Sequence, residues 1–351
     1  MIALTLAAGL VGCNTLGPEA IYSGRAAYNE AIEKTNNQQM FEVIVKNRFG
    51  ESSGLLAVAS VSANFRVTGS VNADFGIGNP ANFAGNLVPL STGAAYEESP
   101  TITYAPVAGK DFLAEIFGHL PLEFVVLMIQ GGARADQAAV TLMRSINGLR
   151  NPAYLTPEVP QADPRFLRMA ELLGKLQRAE LLSLATDGKD SYAYITPHPN
   201  PEYLAMVDEL ADLLSLSRQS PSTTAYKVPI RLGIGTPKGH EILIETRSIT
   251  ELIKIASASM EVPDEQVQAG LAMPAPKLGP VGDYVKIRSS QTAPENALVS
   301  SRMHGTWYYI AENDLASKLY FRLLERLTNA RIADTARTNK AGPVLTLPVA
   351  R

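Results

Sequence analysis

The sequence predicts an α+β fold with a long N-terminal helix, an extended β-hairpin, a helical cluster and a mixed C-terminal region. Three patterns carry that expectation. Apolar and polar residues alternate from Leu55 to Tyr104, which reads as two paired strands. Helical periodicity recurs on both sides of that stretch, in segments punctuated by Gly and Pro. In the second half, helices and strands mix without a regular βαβ alternation, which favours α+β over a doubly wound sheet. With 46% hydrophobic and 19% charged residues among 351, the chain can bury a core and lies outside the disordered regime.

The expected organisation is a signal peptide over 1–12, truncated at its start, and a lipidated tether over 13–18. The helix, hairpin and helical cluster follow over 19–150, then a proline-rich linker over 151–164 and a mixed α+β domain over 165–351. Glu19–Arg48 reads as one helix, with an irregular apolar stripe that includes Ala31, Met40, Val43 and Ile44. Basic Lys46 and Arg48 followed by Gly50 mark its stop.

From Leu55 to Ile77 the odd positions are apolar or glycine, and from Ser60 the even ones are Ser, Asn, Arg, Thr, Asp or Gly. A turn-rich loop follows at Gly78–Asn86, and alternation resumes at even positions with Val88, Leu90, Ala94, Tyr96, Ile102 and Tyr104, weakened in its middle by Pro100 and the Glu97-Glu98 pair. A long antiparallel hairpin with an extended tip is the natural reading.

Three helices are expected next, over Lys110–Gly118, Pro121–Gln130 and Ala135–Leu149. Beyond the proline-rich stretch we expect a helix at Arg165–Ala179, a hairpin at Leu181–Thr196 turning at Asp187-Gly188, and a helix at Pro201–Leu216. Strands at Tyr226–Leu232 and Glu241–Thr246 are read across a Gly/Pro turn. A helix follows at Ile249–Met260, and Val262–Pro280 is a proline-rich excursion. Strands at Tyr284–Arg288 and Thr306–Ala311 come next. A helix at Leu315–Leu327, capped by Asn313 or Asp314, is expected to bury Leu315, Leu319, Leu323 and Leu327. Val344–Leu347 closes the chain as a short strand.

Composition excludes several functions. The 31 basic and 34 acidic residues give a formal charge of −3 with no long block of one sign, so neither a nucleic-acid footprint nor a polybasic membrane patch is present. One cysteine permits no internal disulfide and no multi-cysteine metal site. After the N-terminus no apolar run approaches the roughly 18–20 residues of a spanning helix; Leu120–Gln130 is too short and contains Glu123.

Catalytic patterns are weak. Gly50-Glu51-Ser52-Ser53-Gly54 matches G-x-S-x-G, but that chemistry needs a strand before the serine and a helix after it; here the order is reversed. Leu232–Gly239 (LGIGTPKG) fits neither the dinucleotide fingerprint nor the P-loop and reads as a turn. His119, His198, His240 and His304 show no metal-ligand spacing. Glu97 and Glu98 are strand neighbours that point to opposite faces. Arg302–Tyr309 holds the only tryptophan, Trp307, and reads as a strand packed on the helix after it. No catalytic, cofactor-binding or metal-binding residue is expected.

The N-terminus is more specific. Ile2–Val11 is an apolar run that stops before Cys13. Leu10-Val11-Gly12-Cys13 resembles the lipobox of bacterial lipoproteins. The resemblance implies that the Cys13 thiol receives a diacylglyceryl group, that a peptidase cuts before it, and that the new amine is acylated. Several acyl chains on one residue anchor stably where one binds only marginally. A signal peptide begins with positive charge, and no Lys or Arg precedes the run, so the true start is expected upstream of Met1. Asn14 in place of Asp implies, by resemblance to enterobacterial sorting, the outer membrane.

The phrases PTITYAP (100–106), INGL (146–149), YYIAENDLASK (308–318) and VLTLPV (344–349) are similar to an uncharacterised group of Gram-negative envelope lipoproteins. That resemblance implies a compartment and no activity. The expectation is a non-enzymatic outer-membrane lipoprotein facing the periplasm, serving as an assembly, binding or accessory component. Its partners would be the membrane, through Cys13, and an envelope protein or further copies of itself, with no nucleic acid. Two alternatives stay open: an oligomeric pore or secretion channel that inserts the 55–104 hairpin, and a periplasmic hydrolase using Ser52 or His304.

Overall fold

The computed structural model describes residues 16–52, 55–73, 90–107, 110–155, 162–187, 190–196, 198–216, 226–338 and 345–348. It has the α+β character expected. The chain divides into two compact units, Met1–Gly54 with Ala108–Thr338, and Leu55–Val107 with Asn339–Arg351.

The first unit opens with α1 (Leu16–Arg48), one continuous helix as expected. Met40, Phe41, Ile44 and Val45 are buried at helical spacing, and the Phe41 ring meets Phe321 edge-on at 6.2 Å. Gly50 follows with φ +68°, the left-handed geometry that glycine adopts without strain after a helix.

The second unit is built on β1 (Leu55–Ala73) and β2 (Leu90–Val107), antiparallel from Leu55↔Val107 to Ala73↔Leu90. The register shifts between Val58 and Ser60, where β1 carries an extra residue. Beyond that shift, odd positions of β1 lie opposite even positions of β2. One set pairs Val61↔Ile102, Phe65↔Glu98, Val67↔Tyr96 and Ala73↔Leu90; the intervening set pairs Ser62↔Thr101, Asn64↔Ser99, Arg66↔Glu97 and Asn72↔Ser91. The predicted alternation and the observed register therefore describe the same ribbon. Its tip loop, Gly78–Asn86, lies outside the described residues.

Back in the first unit, α2 (Lys110–Phe117), α3 (Leu122–Gln130) and α4 (Ala135–Leu142) form the helical cluster. The third helix is shorter than its periodicity suggests. Met143 begins β3 (Met143–Ile146), and Asn147 (φ +44°) with Gly148 (φ +81°) turns the chain into β4 (Leu149–Arg150). Asn-Gly is the dipeptide that a tight hairpin turn favours, because both central residues need positive φ.

The proline-rich 151–164 stretch runs within this unit. Asn151 is fully buried and donates through Nδ2 to the carbonyls of Val140 and Met143. Strand β5 (Tyr154–Leu155) lies beyond it, and Asp163 caps α5 (Pro164–Arg178) by accepting from the Arg165 amide. Pro164 occupies the first turn, where its missing N–H is no loss, and Phe166, Met169, Leu172 and Leu176 form the buried face.

Then come β6 (Leu182–Asp187), β7 (Asp190–Ile195) and α6 (Pro201–Leu213), the last capped by Asn200. Strands β8 (Tyr226–Leu232) and β9 (Ile242–Thr246) follow. These two are parallel neighbours, Ile230 opposite Ile242, so residues 233–241 form a crossover and not the turn expected from their Gly/Pro content. The six-stranded sheet runs β4-β3-β9-β8-β7-β6 and is otherwise antiparallel. Burial alternates along β9, with Ile242, Ile244 and Thr246 buried and Leu243 and Glu245 only half-buried, which makes one sheet face the core.

Helix α7 (Ile249–Ala258) is capped by Ser248, whose Oγ accepts from the Glu251 amide. The proline-rich excursion contains α8 (Asp264–Gln268) and β10 (Lys277–Leu278), which pairs with β5. Tyr284 ends a 3-10 turn at Pro280–Tyr284 in place of the expected strand. The three-stranded sheet β11-β13-β12 follows, built from β11 (Arg288–Ser290), β12 (Ala297–Met303) and β13 (Thr306–Ala311). β12 was not expected from the sequence.

The final helix, α9 (Leu315–Thr338), begins at the expected residue and runs further. Asp314 Oδ1 accepts from the Ser317 amide, as a cap does. Its buried face is rotated from the leucine row: Tyr320, Phe321, Leu324 and Leu327 are buried, whereas Leu315 is 67% and Leu319 50% exposed. Two aromatics fill the core better than the leucines one step away. Strand β14 (Leu345–Pro348) belongs to the second unit and pairs antiparallel with Thr101–Tyr104 of β2.

Candidate functional site

Cys13, the lipidation candidate, lies outside the described residues. The hydrolase candidates are partly brought together. His304 (φ +46°) and Gly305 (φ +83°) form the turn between β12 and β13. Nε2 of His304 lies 3.1 Å from Oε1 of Glu51, and its ring lies 4.8 Å from that of Phe49. The imidazole thus engages Glu51, not Ser52, which is exposed with a helix before it and a strand after it. A serine without a base at hydrogen-bond distance is not an activated nucleophile. Nearby, Tyr308 is fully buried and donates to Oε1 of Gln266 at 2.8 Å; burial pushes its phenol pKa up.

The other histidines stand apart. His119 Nδ1 lies 2.6 Å from the Thr246 carbonyl, and His198 Nδ1 accepts from the Asn200 amide. Both ring nitrogens of His240 are buried without a partner among the described residues. Among those residues no three His, Cys, Asp or Glu side chains group as metal ligands. In the ribbon, Glu97 is opposite Arg66 and Glu98 opposite Phe65, so their register positions separate them.

The densest polar constellation is one that motif reading missed. Arg247 is fully buried directly before the cap of α7. One guanidinium nitrogen bonds Glu251 Oε1 at 2.6 Å and another the Asn151 carbonyl at 2.7 Å. The second oxygen of Glu251 holds Arg144 on β3, which also reaches Glu245 Oε1 on β9 at 3.3 Å. Ser145 Oγ donates to the other Glu245 oxygen at 3.0 Å. The chain of contacts alternates in charge and passes from a half-exposed arginine to one with no exposure. Burial opposes the charge on Arg144, but the Glu251 bond and field, with Glu245, outweigh it and raise its pKa. Burial, followed by the field of Glu251 and against that of Arg247, pushes Tyr154 up to about 12.

The outer end of this network opens into a cleft of about 480 Å³ that includes Arg144, Ser145, Arg150, Ala153, Ile234 and Glu245. Its size lies within the range of ligand sites, about 300–1,000 Å³. Two segments of modest appearance in the sequence form its rim, the Asn147-Gly148 turn and the 233–241 crossover. Asn147 ties them together. Its Nδ2 donates to the carbonyls of Leu214 and Glu241 at 2.7 and 3.3 Å, and its Oδ1 accepts from the Leu243 amide at 2.6 Å. The two segments approach closely there: a Cβ on Gly148 would lie 3.6 Å from Thr236 Cγ2 and 3.8 Å from the Gly235 backbone. The cleft presents guanidinium groups and one carboxylate, Glu245, which accepts from Ser145 but is paired with Arg144 and so is a weakened base. Such a lining suits binding of charge more than activation of a hydroxyl. Local signals did exist: Asn147-Gly148 marks a turn, and Ser248-x-x-Glu251 is a capping-box pattern whose glutamate is diverted to two arginines.

Compared with known proteins, the chain matches no family model, and no curated protein or solved structure matches it.

Proposed function

We propose that the chain is a non-enzymatic outer-membrane lipoprotein, facing the periplasm and held by acyl chains on Cys13, that acts as an assembly component of an envelope complex. The carrying observation is the β1–β2–β14 ribbon. It forms a compact unit of its own, and its strand order places β1 and β14 at the edges. β14 pairs with only four residues of β2, so among the described residues Leu90–Pro100 and all of β1 have one edge without a strand partner. Edges of this length are templates for further strands. Among the described residues no base is bonded to Ser52, and the Glu245 carboxylate that accepts from Ser145 is itself held by Arg144, which favours a binding role over hydrolysis.

A second reading is favoured by the register. Between Val61 and Ala73 the mainly apolar set alternates with the polar one over 13 residues, more than the roughly 9–11 that cross a bilayer as a strand. Copies joined edge to edge would close a barrel without free edges. Glu98 within the apolar set weighs toward a protein partner.

Fractionation with acyl labelling tests the anchor. Wild type should take up labelled palmitate and sediment with outer membranes, and Cys13→Ser should become soluble in the periplasm. An unlabelled wild type overturns the lipoprotein reading. Unboiled electrophoresis and size in detergent test assembly. An oligomer lost in Val67→Asp supports the ribbon as the assembling element, and a SDS-resistant ring supports the pore. A monomer under all conditions, with no co-purifying envelope protein, removes both.

A further inference from the structure

We propose that the cleft between the Asn147-Gly148 turn and the 233–241 crossover binds a carboxylate carried beside an apolar side chain, as at the C-terminal end of a peptide or on a free amino acid. Three ionised side chains line it. Arg144 and Glu245 pair with each other, whereas Arg150 is exposed and has no carboxylate partner among the described residues. Among the described residues the lining therefore carries one unmatched positive charge, which suits a monoanion. A phosphate dianion would bring its second charge beside Glu245. A guanidinium fork receives both oxygens of a carboxylate, which a single ammonium does not.

The apolar part of the ligand has its own surface. Ile234 is 76% exposed at the rim, near half-buried Pro152 and buried Ala153. A large aliphatic side chain held so open on a short loop gains most by being covered.

The site is also preorganised. Arg144 is fixed by Glu245 and Glu251, Glu251 by Arg247, and Arg247 by the backbone of Asn151, so the cleft floor does not reorder on binding. Asn147 fixes the opposite wall through both ends of its amide. Loops pinned in this way lose little entropy when a ligand arrives.

Calorimetric titration of the full lipidated chain in detergent tests the assignment with three probes: acetyl-Ala-Leu, its C-terminal amide, and free leucine. The acid should bind, and the amide at least about tenfold more weakly, the factor expected for a lost charge-assisted bond. Arg150→Gln should remove that discrimination, and Ile234→Ser should weaken the acid by about tenfold. Both residues are exposed, so unchanged circular dichroism is expected and keeps the comparison valid. Leucine binding as tightly as the acid assigns the ligand to free amino acids, and weaker leucine binding assigns it to peptide ends. Equal affinity for acid and amide overturns the proposal, as does an Arg150→Gln variant that binds the acid like wild type. No heat or competition with the acid up to about 10 mM, the limit of a meaningful weak site, overturns it also.

Discussion

Removing Glu251 should destabilise the first unit more than any surface charge would. Its two oxygens hold two arginines, one of which has no solvent exposure at all. In Glu251→Ala, Arg247 keeps the Asn151 carbonyl at 2.7 Å but loses the only carboxylate bonded to it among the described residues. Leaving a buried charge without its counter-ion costs about 3–5 kcal/mol. Loss of an acid from the first turn of α7 adds about 0.3–1 kcal/mol. Arg144 is 44% exposed and retains Glu245, so its share is small. The expected total is about 3–6 kcal/mol, a large part of the 5–15 kcal/mol of a typical domain. Urea unfolding followed through Trp307 fluorescence measures it. The pair Glu251→Leu with Arg247→Met should recover most of the loss, because apolar replacement of a buried ion pair is often neutral or better. A single-variant loss below about 1 kcal/mol, the range of an exposed pair, would refute the buried-charge argument. Failure of the double variant to recover any stability would do the same.

Asn147→Ala removes three hydrogen bonds and leaves alanine at φ +44°, for an expected loss of about 2–4 kcal/mol and shifted amide resonances across 233–241. Gly279→Ala would set its Cβ 2.1 Å from the Pro152 carbonyl oxygen, so the backbone must move; a loss of about 1–3 kcal/mol should appear as a lower Tm. Glu325 is nearly buried, and burial raises its pKa above the ordinary 4.5 although Arg322 pulls it down. A raised folded pKa gives stability that is present below the unfolded value and lost as pH rises through the folded one. Glu325→Gln should therefore be the more stable protein at pH 7, with an advantage that shrinks on acidification through the folded pKa. An advantage that grows on acidification would contradict the sign.

Short-range pattern carried much of the architecture. The alternation from Leu55 to Tyr104 is written in consecutive residues, and strand geometry converts it directly into a two-set ribbon. The cap of α9 was equally local, since Asp314 accepts from the Ser317 amide three residues on. Where the expectation differed, the deciding contact was distant. The Ala135–Leu149 periodicity continued past Leu142, but Met143 and Ile146 are buried as strand residues between β4 and β9. The Leu315-Leu319 row was regular, yet Tyr320 and Phe321 gained the core because on that side Phe321 meets Phe41 of α1 and Tyr320 donates to the Leu252 carbonyl of α7.

The sequence by itself determined the ribbon's alternation, the mixture of helices and strands, and the cap of α9 at Asp314. Tertiary structure alone decided that β8 and β9 run parallel, and that the crossover between them faces an Asn-Gly turn. It alone built the cleft. Ser145 meets Glu245 across 100 residues, Arg144 meets Glu251 across 107, and Arg247 meets Asn151 across 96. Local periodicity records which side of an element avoids water. It carries no information about which charge, a hundred residues away, will be buried beside it.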